Sequence, residues 1–160
     1  MDDALFVVTL VTALGCGLSA GALFAFSSFV MAALARLPAP QGIAAMQSIN
    51  VTAVTPVFML ALFGTAVACI VLIVWALVDW HDAFGPYLVG GALLYLIGPV
   101  GVTMAYNVPR NNALAQADPA SAEAATYWQR YMREWTTANH LRVALGVAAA
   151  ALLTIAVHVD

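Results

Sequence analysis

The chain has no lysine, five arginines and eight acids among 160 residues, and only two cysteines. Each shortage excludes something. With 8% charged and 64% hydrophobic residues and a mean hydropathy of +0.94, the composition departs from that of water-soluble domains, in which about 25% of residues are charged. A net charge of −3 without any basic cluster gives no footprint for nucleic acid. Cys16 and Cys69 lie far apart, without C-x-x-C spacing, which disfavours a disulfide-forming redox pair and reads as two small buried hydrophobes. There is no Gly-rich dinucleotide fingerprint, no C-x-x-C-H haem attachment and no carboxylate/histidine facial triad. The histidines, His81, His140 and His158, are dispersed. His81 and His158, near Asp79, Asp82 and Asp160 in the topology, would hold a metal only adventitiously, so neither a metal site nor a cofactor is expected.

Long uncharged stretches dominate what remains. Residues 4–35, 37–78 and 83–109 contain no Asp, Glu, Lys or Arg, and each exceeds the roughly 20 apolar residues a spanning helix requires. A fourth apolar stretch runs from Asn139 to Val157. The expected fold is therefore all-α: one membrane domain over 1–160, a four-helix bundle with spans at about 4–34, 56–78, 86–106 and 139–157. The first span is too long for a removable signal segment and has no basic region before it, so it is expected to persist. With four spans, all five arginines (36, 110, 130, 133 and 142) fall on one side, while Asp2, Asp3, Asp79, Asp82 and Asp160 fall on the other. The positive-inside bias then places both termini outside and the 107–138 segment in the cytoplasm of a bacterial-type inner or plasma membrane.

Within the spans, Gly17 and Gly21 form a G-x-x-x-G pair, and Gly64 and Ala68 a small-xxx-small pair, which permit close helix approach. Packing within one chain and a homo-oligomer both remain open on this pattern. Gly98-Pro99 should kink the third span, since proline removes a backbone hydrogen bond. Pro40 begins a short helix reaching Asn50, Pro56 and Pro86 open the second and third spans, and Pro109 stops the third. Asp118-Pro119 supplies an N-cap and first position for a cytoplasmic helix at about 119–137. That helix is amphipathic: Trp128, Tyr131, Met132 and Trp135 share a face, and Glu123, Arg130, Arg133 and Glu134 point away. It reads either as an interfacial anchor held by its rings or as an aromatic lid over the bundle mouth.

The stretch from Asn107 to Arg142 holds four of the five arginines, four asparagines, two tryptophans and a histidine. Asn139 and Arg142 stand at i, i+3 at the start of the fourth span, with His140 between them, and Asn107 and Asn111 stand at the end of the third. Polar groups at such depth are expensive unless paired or used. One reading makes them a site; the other has Arg142 snorkelling, Asn139 capping a helix and the rest satisfying broken backbone.

Four segments carry a resemblance: Gly-x-Leu-Phe-x-Phe-Ser-Ser-Phe-Val-Met at 21–31, Ala-Met-Gln-Ser-Ile-Asn at 45–50, Asn-Val-Pro-Arg-Asn-Asn at 107–112 and Trp-x-x-Tyr-x-x-x-Trp-Thr-x-x-Asn-His-x-Arg at 128–142. Over nearly its whole length the chain resembles the DUF1772, or anthrone oxygenase-like, family of small membrane proteins, whose fungal members oxidise anthrones to anthraquinones. It departs from the family pattern in having Val51 where a basic residue often follows the asparagine, which puts anion binding by residues 50–55 in doubt. The resemblance implies a membrane-embedded oxidoreductase acting on an apolar aromatic or phenolic molecule. Oxygenation without a cofactor needs a base, oxyanion stabilisation and a dry pocket, because the substrate carbanion can itself reduce O₂. On this reading His140 is the base and Arg142 and Asn139 are the other catalytic groups. Asn107, Asn111, Trp128, Tyr131, Trp135 and Asn50 bind the substrate. Replacing His140 by alanine should then abolish turnover. The alternative is a non-enzymatic binder, transporter or scaffold for a quinone- or lipid-like molecule, in which His140 is dispensable. A proton-coupled transporter is disfavoured, as no acid lies within any span.

Overall fold

The computed structural model describes residues 1–159, all helical apart from short connections. Four helices are long and apolar enough to cross a membrane: α1 (Asp3–Leu34), α3 (Pro56–Val78), α4 (Gly85–Ala115) and α5 (Ala122–His158). The short α2 (Ala39–Thr52) links the first two. In hydrocarbon every backbone polar group needs an internal partner, which is why uncharged stretches of this length resolve into helices. Outward faces are apolar as well: Leu14, Leu18, Val57, Val67 and Leu77 are exposed along the spans, as expected where lipid replaces water.

Helix starts follow the side chains that can accept from orphan N–H groups. Asp2 Oδ1 accepts from Leu5 N at 2.8 Å, Thr55 Oγ1 from Phe58 N at 3.2 Å and Ser121 Oγ from Ala124 N at 3.1 Å. The last of these corrects the expected start at Asp118-Pro119. Asp118 instead closes a turn by accepting from Ala120 N at 3.0 Å, and the helix begins only at Ala122. Two further boundaries differ. Pro109 does not stop the third span, which runs to Ala115 because the proline sits in the first turn after a π-helical stretch ending at Asn107, where a missing N–H is tolerated. The helices expected at 119–137 and 139–157 are one uninterrupted 37-residue helix. Asn139 therefore caps nothing.

Three spans contain π-helical turns, at Phe26–Val30, Leu60–Gly64 and Leu96–Asn107, the last including Pro99. Such turns loosen the i→i−4 ladder and often mark functional positions. Their freed backbone finds partners: Tyr95 Oη donates to Leu62 O at 3.0 Å and Ser19 Oγ to Ala61 O at 3.3 Å.

Two apolar cores result. One runs down the bundle through Leu5, Cys16, Cys69, Leu72, Leu88, Tyr95 and Leu153. Here Cys16 and Cys69 are neighbours, both free and fully buried. The other lies at the end bearing the arginines, where α2 packs on the start of α5 through Ile43, Met46, Leu114, Trp128, Tyr131 and Trp135. Gln47 Nε2 secures α2 by donating to Leu114 O at 2.8 Å and Ala117 O at 3.0 Å.

Close helix contact does not use the G-x-x-x-G pair. A Cβ at Gly17 or Gly21 would meet nothing within 4 Å, whereas one at Gly98 would lie 2.5 Å from Leu145 Cβ and one at Gly146 would lie 3.1 Å from Pro99 Cγ. Gly98→Ala should therefore force α4 away from α5 and lower stability by about 1–3 kcal/mol. Gly17→Ala should be neutral or stabilising by up to about 1 kcal/mol. Thermal unfolding of both variants in one detergent checks the contrast.

Candidate functional site

The three π-helical turns surround a cavity of about 290 Å³. Its wall includes Leu23 and Phe26 from α1, Met59 and Phe63 from α3, and Thr103 and Met104 from α4. Met46, Ile49 and Asn50 of α2, followed by Ala53 and Val54, cover it from the arginine-bearing end. Of its lining residues, Val54 is 68% and Met104 53% exposed.

The polar groups of the cavity are Arg142, Asn50, Asn111, Thr103 and the edge of Trp135. Arg142 is only 4% exposed. Its Nη1 donates to Thr103 Oγ1 at 2.8 Å and its Nη2 to Asn139 Oδ1 at 2.6 Å, while its Nε, also buried, has no partner. The guanidinium lies over the Trp135 ring, 4.9 Å from the centroid. Each hydrogen-bonding partner is itself fixed. Thr103 Oγ1 donates to Pro99 O, closing a loosened turn. Asn139, completely buried, donates through Nδ2 to Leu23 O at 2.8 Å and Ser27 Oγ at 2.7 Å. A single asparagine thus ties α5 to the π-helical end of α1 and orients the arginine.

Among the described residues no acid balances this charge. Glu134, the acid nearest in sequence, already pairs with Arg110 at 2.9 Å and Arg130 at 2.8 Å, and no Asp, Glu, His, Lys, Cys or Tyr lines the cavity. The other amides add further donors. Asn50 Nδ2 is buried without a partner in hydrogen-bond geometry; the Tyr131 oxygen, whose hydrogen goes to Asn111, lies close enough to act on it as an acceptor. Asn111 Oδ1 accepts from Tyr131 Oη and from Trp135 Nε1, both at 2.8 Å, so its free Nδ2 also presents N–H groups. One end of an otherwise apolar space therefore offers N–H donors and an uncompensated positive charge. Such a set fits an oxygen ligand with negative charge and repels a metal cation; among the described residues no three of His, Cys, Asp and Glu converge to hold one.

The sequence-based candidates divide accordingly. Arg142, Asn111, Asn50 and Trp135 line the cavity, and Asn139 touches Arg142 from behind. Trp128 and Tyr131 stack at 5.5 Å and Tyr131 and Trp135 at 6.3 Å between centroids. All three rings are buried, so this aromatic face is turned inward onto α2 and the end of α4 rather than into the membrane interface, and only Trp135 reaches the cavity. Asn107 is buried outside it, donating to Trp135 O at 3.3 Å with its Oδ1 unpartnered. His140 is exposed on another face of α5 and does not line the cavity. Thr103, Ser27 and the Leu23 carbonyl were missed. Thr103 stands one turn before Asn107 and Ser27 lies in the Phe-Ser-Ser-Phe segment, but neither announces a partner 39 or 112 residues away.

Four membrane-length helices around a cavity with one polar end make this a small integral membrane protein of the four-helix class. A family model described as anthrone oxygenase matches residues 57–152, more than half of the chain, which therefore belongs to that family. No curated protein and no solved structure matches the chain. The matched region contains Thr103, Asn111, Trp135, Asn139 and Arg142; α1 and Asn50 lie before it.

Asn139→Leu should strand one buried Arg142 nitrogen, while the Leu23 carbonyl keeps the Phe26 N–H, and lower stability by about 1–3 kcal/mol. Ser27→Ala, which leaves the Leu23 contact in place, should have a smaller effect. Denaturant or thermal unfolding of both variants measures the difference.

Proposed function

We propose that this protein is a membrane-embedded oxygenase that converts an acidic CH₂ group of an apolar aromatic ketone or phenol to a carbonyl, with O₂ as oxidant. The observation that carries this reading is the pairing of an apolar cavity with a polar end headed by the uncompensated charge of Arg142. Family membership supports an oxygenase-like activity in general terms. The balance is R₂CH₂ + O₂ → R₂C=O + H₂O. The C–H proton passes to solvent as the ligand binds, giving an enolate or phenolate whose oxygen meets Arg142 Nε and Asn50 Nδ2. The anion passes one electron to O₂, the ligand radical and superoxide combine to form the C–O bond, and the peroxide takes a proton back from solvent and loses water to leave the carbonyl. Donors placed against a developing oxyanion in a water-poor site are worth far more than in water. Trp135 and Phe26, with ring centroids 5.6 Å apart, give the flat ligand an aromatic wall. Asn139 and Thr103 position the arginine; Tyr131 and Trp128 back Trp135. The arginine-bearing end faces the cytoplasm on the positive-inside rule.

His140 is not the base in this scheme, because its side chain points away from the cavity. A second reading, a carrier or binder of an anionic quinone- or lipid-like molecule, draws on the same lack of a titratable side chain in the cavity wall.

Anaerobic loading of the purified protein with anthrones or reduced quinones, followed by an air pulse, separates the two. Accelerated oxygen uptake with carbonyl product is expected, and Arg142→Gln should lower kcat/KM by about 10²-fold or more, the scale of losing an oxyanion donor. His140→Ala should leave the rate unchanged. Saturable binding without product would favour the binder.

A further inference from the structure

We infer that the cavity takes phenols and enols as their singly charged anions, and that Arg142 rather than a protein base brings about the ionisation. The inference rests on the reading that this cavity is the ligand site, and it specifies the form in which the ligand is held.

Charge decides the form. To the cavity wall α1, α2, α3 and α4 contribute apolar side chains, amides and one threonine, and α5 contributes Trp135 and Arg142. None of these except Arg142 is ionised. The one titratable group close enough to act on Arg142 is Tyr131, and its hydroxyl is tied to Asn111. An arginine does not lose its proton in a protein, so the empty cavity carries one full positive charge in apolar surroundings. A buried charge without a partner is strongly unfavourable. A neutral ligand leaves it uncompensated, a dianion leaves an excess of the other sign, and a cation adds to the repulsion. A monoanion cancels it. The unpartnered Nε of Arg142 and Nδ2 of Asn50 then supply hydrogen bonds that the anion accepts better than the neutral phenol. The proton leaves with solvent at binding, so affinity should rise tenfold per pH unit below the ligand's own midpoint and level off above it.

The test uses 4-nitrophenol, which has no CH₂ group to oxidise and whose anion is yellow. Protein in nanodiscs is titrated with the dye one pH unit below the midpoint measured in empty nanodiscs of the same lipid. The bound dye should show a phenolate-to-phenol ratio raised about tenfold or more, the lower end of what an opposite charge within ~4–6 Å produces. Arg142→Gln should abolish the gain. Arg142→Lys should retain it, and with the wild-type spectrum decides the matter if the glutamine variant does not fold. Dye bound as the neutral phenol, an equal gain in Arg142→Gln, or no saturable binding would overturn the inference. Ionised dye without anthrone turnover would remove the oxygenase reading and leave this one standing; turnover with neutral dye would do the reverse.

Discussion

A guanidinium buried near the membrane interior with no carboxylate beside it is the constraint around which this protein is arranged. Left to itself such a charge would exclude the fold. It is tolerated because two of its nitrogens are held by acceptors, Asn139 Oδ1 and Thr103 Oγ1, and because its face lies over Trp135. Those acceptors are anchored in turn to carbonyls on α1 and α4. The arginine therefore specifies the mutual placement of three spans as well as the polarity of the cavity. Two of its five N–H groups are used in this way, and Nε has no partner.

The π-helical turns connect this constraint to the fold. Loosened turns at Phe26–Val30 and Leu96–Asn107 lie at the depth where Asn139 bonds the Leu23 carbonyl, which also accepts from Phe26 N, and where Thr103 bonds the Pro99 carbonyl. Glycine does the complementary work by letting α4 and α5 touch at Gly98 and Gly146, which brings Thr103 within reach of Arg142. Outside this region, at the arginine-bearing end, α2 and the aromatic face of α5 close the cavity with apolar side chains, and the other cations are neutralised by Glu134 or left exposed.

Much of this was legible in the residues. Stretches free of charge gave the number of spans, and the second span, expected at 56–78, has those bounds because Thr55-Pro56 caps its start and Asp79 ends its apolar run. The i, i+3 spacing correctly joined Asn139 to Arg142. The joined α5 was harder to read. Its polar first half and apolar second half look like two elements to a hydropathy argument, yet no proline or glycine lies between Ala122 and Leu145 to break the helix. The inward turn of Trp128 and Tyr131 depended on α2 arriving to cover them, a tertiary fact with no local signature. His140, expected as the base, lies outside the cavity wall for a related reason: adjacency in sequence to Asn139 puts it about 100° around the helix, away from the arginine's face. The π-helical turns carry no compositional mark, so the cavity they outline was invisible until the backbone was in place.

An oxygen atom of the ligand should sit at the unpartnered Nε of Arg142. An experimental structure with an anthraquinone or a non-oxidisable phenol bound would test this most directly. The expected result is a planar ligand in the cavity beside Trp135, with one oxygen within hydrogen-bond distance of both Arg142 Nε and Asn50 Nδ2. A ligand lodged instead in the outer groove between Ile97 and Leu141, with Arg142 unchanged, would contradict it.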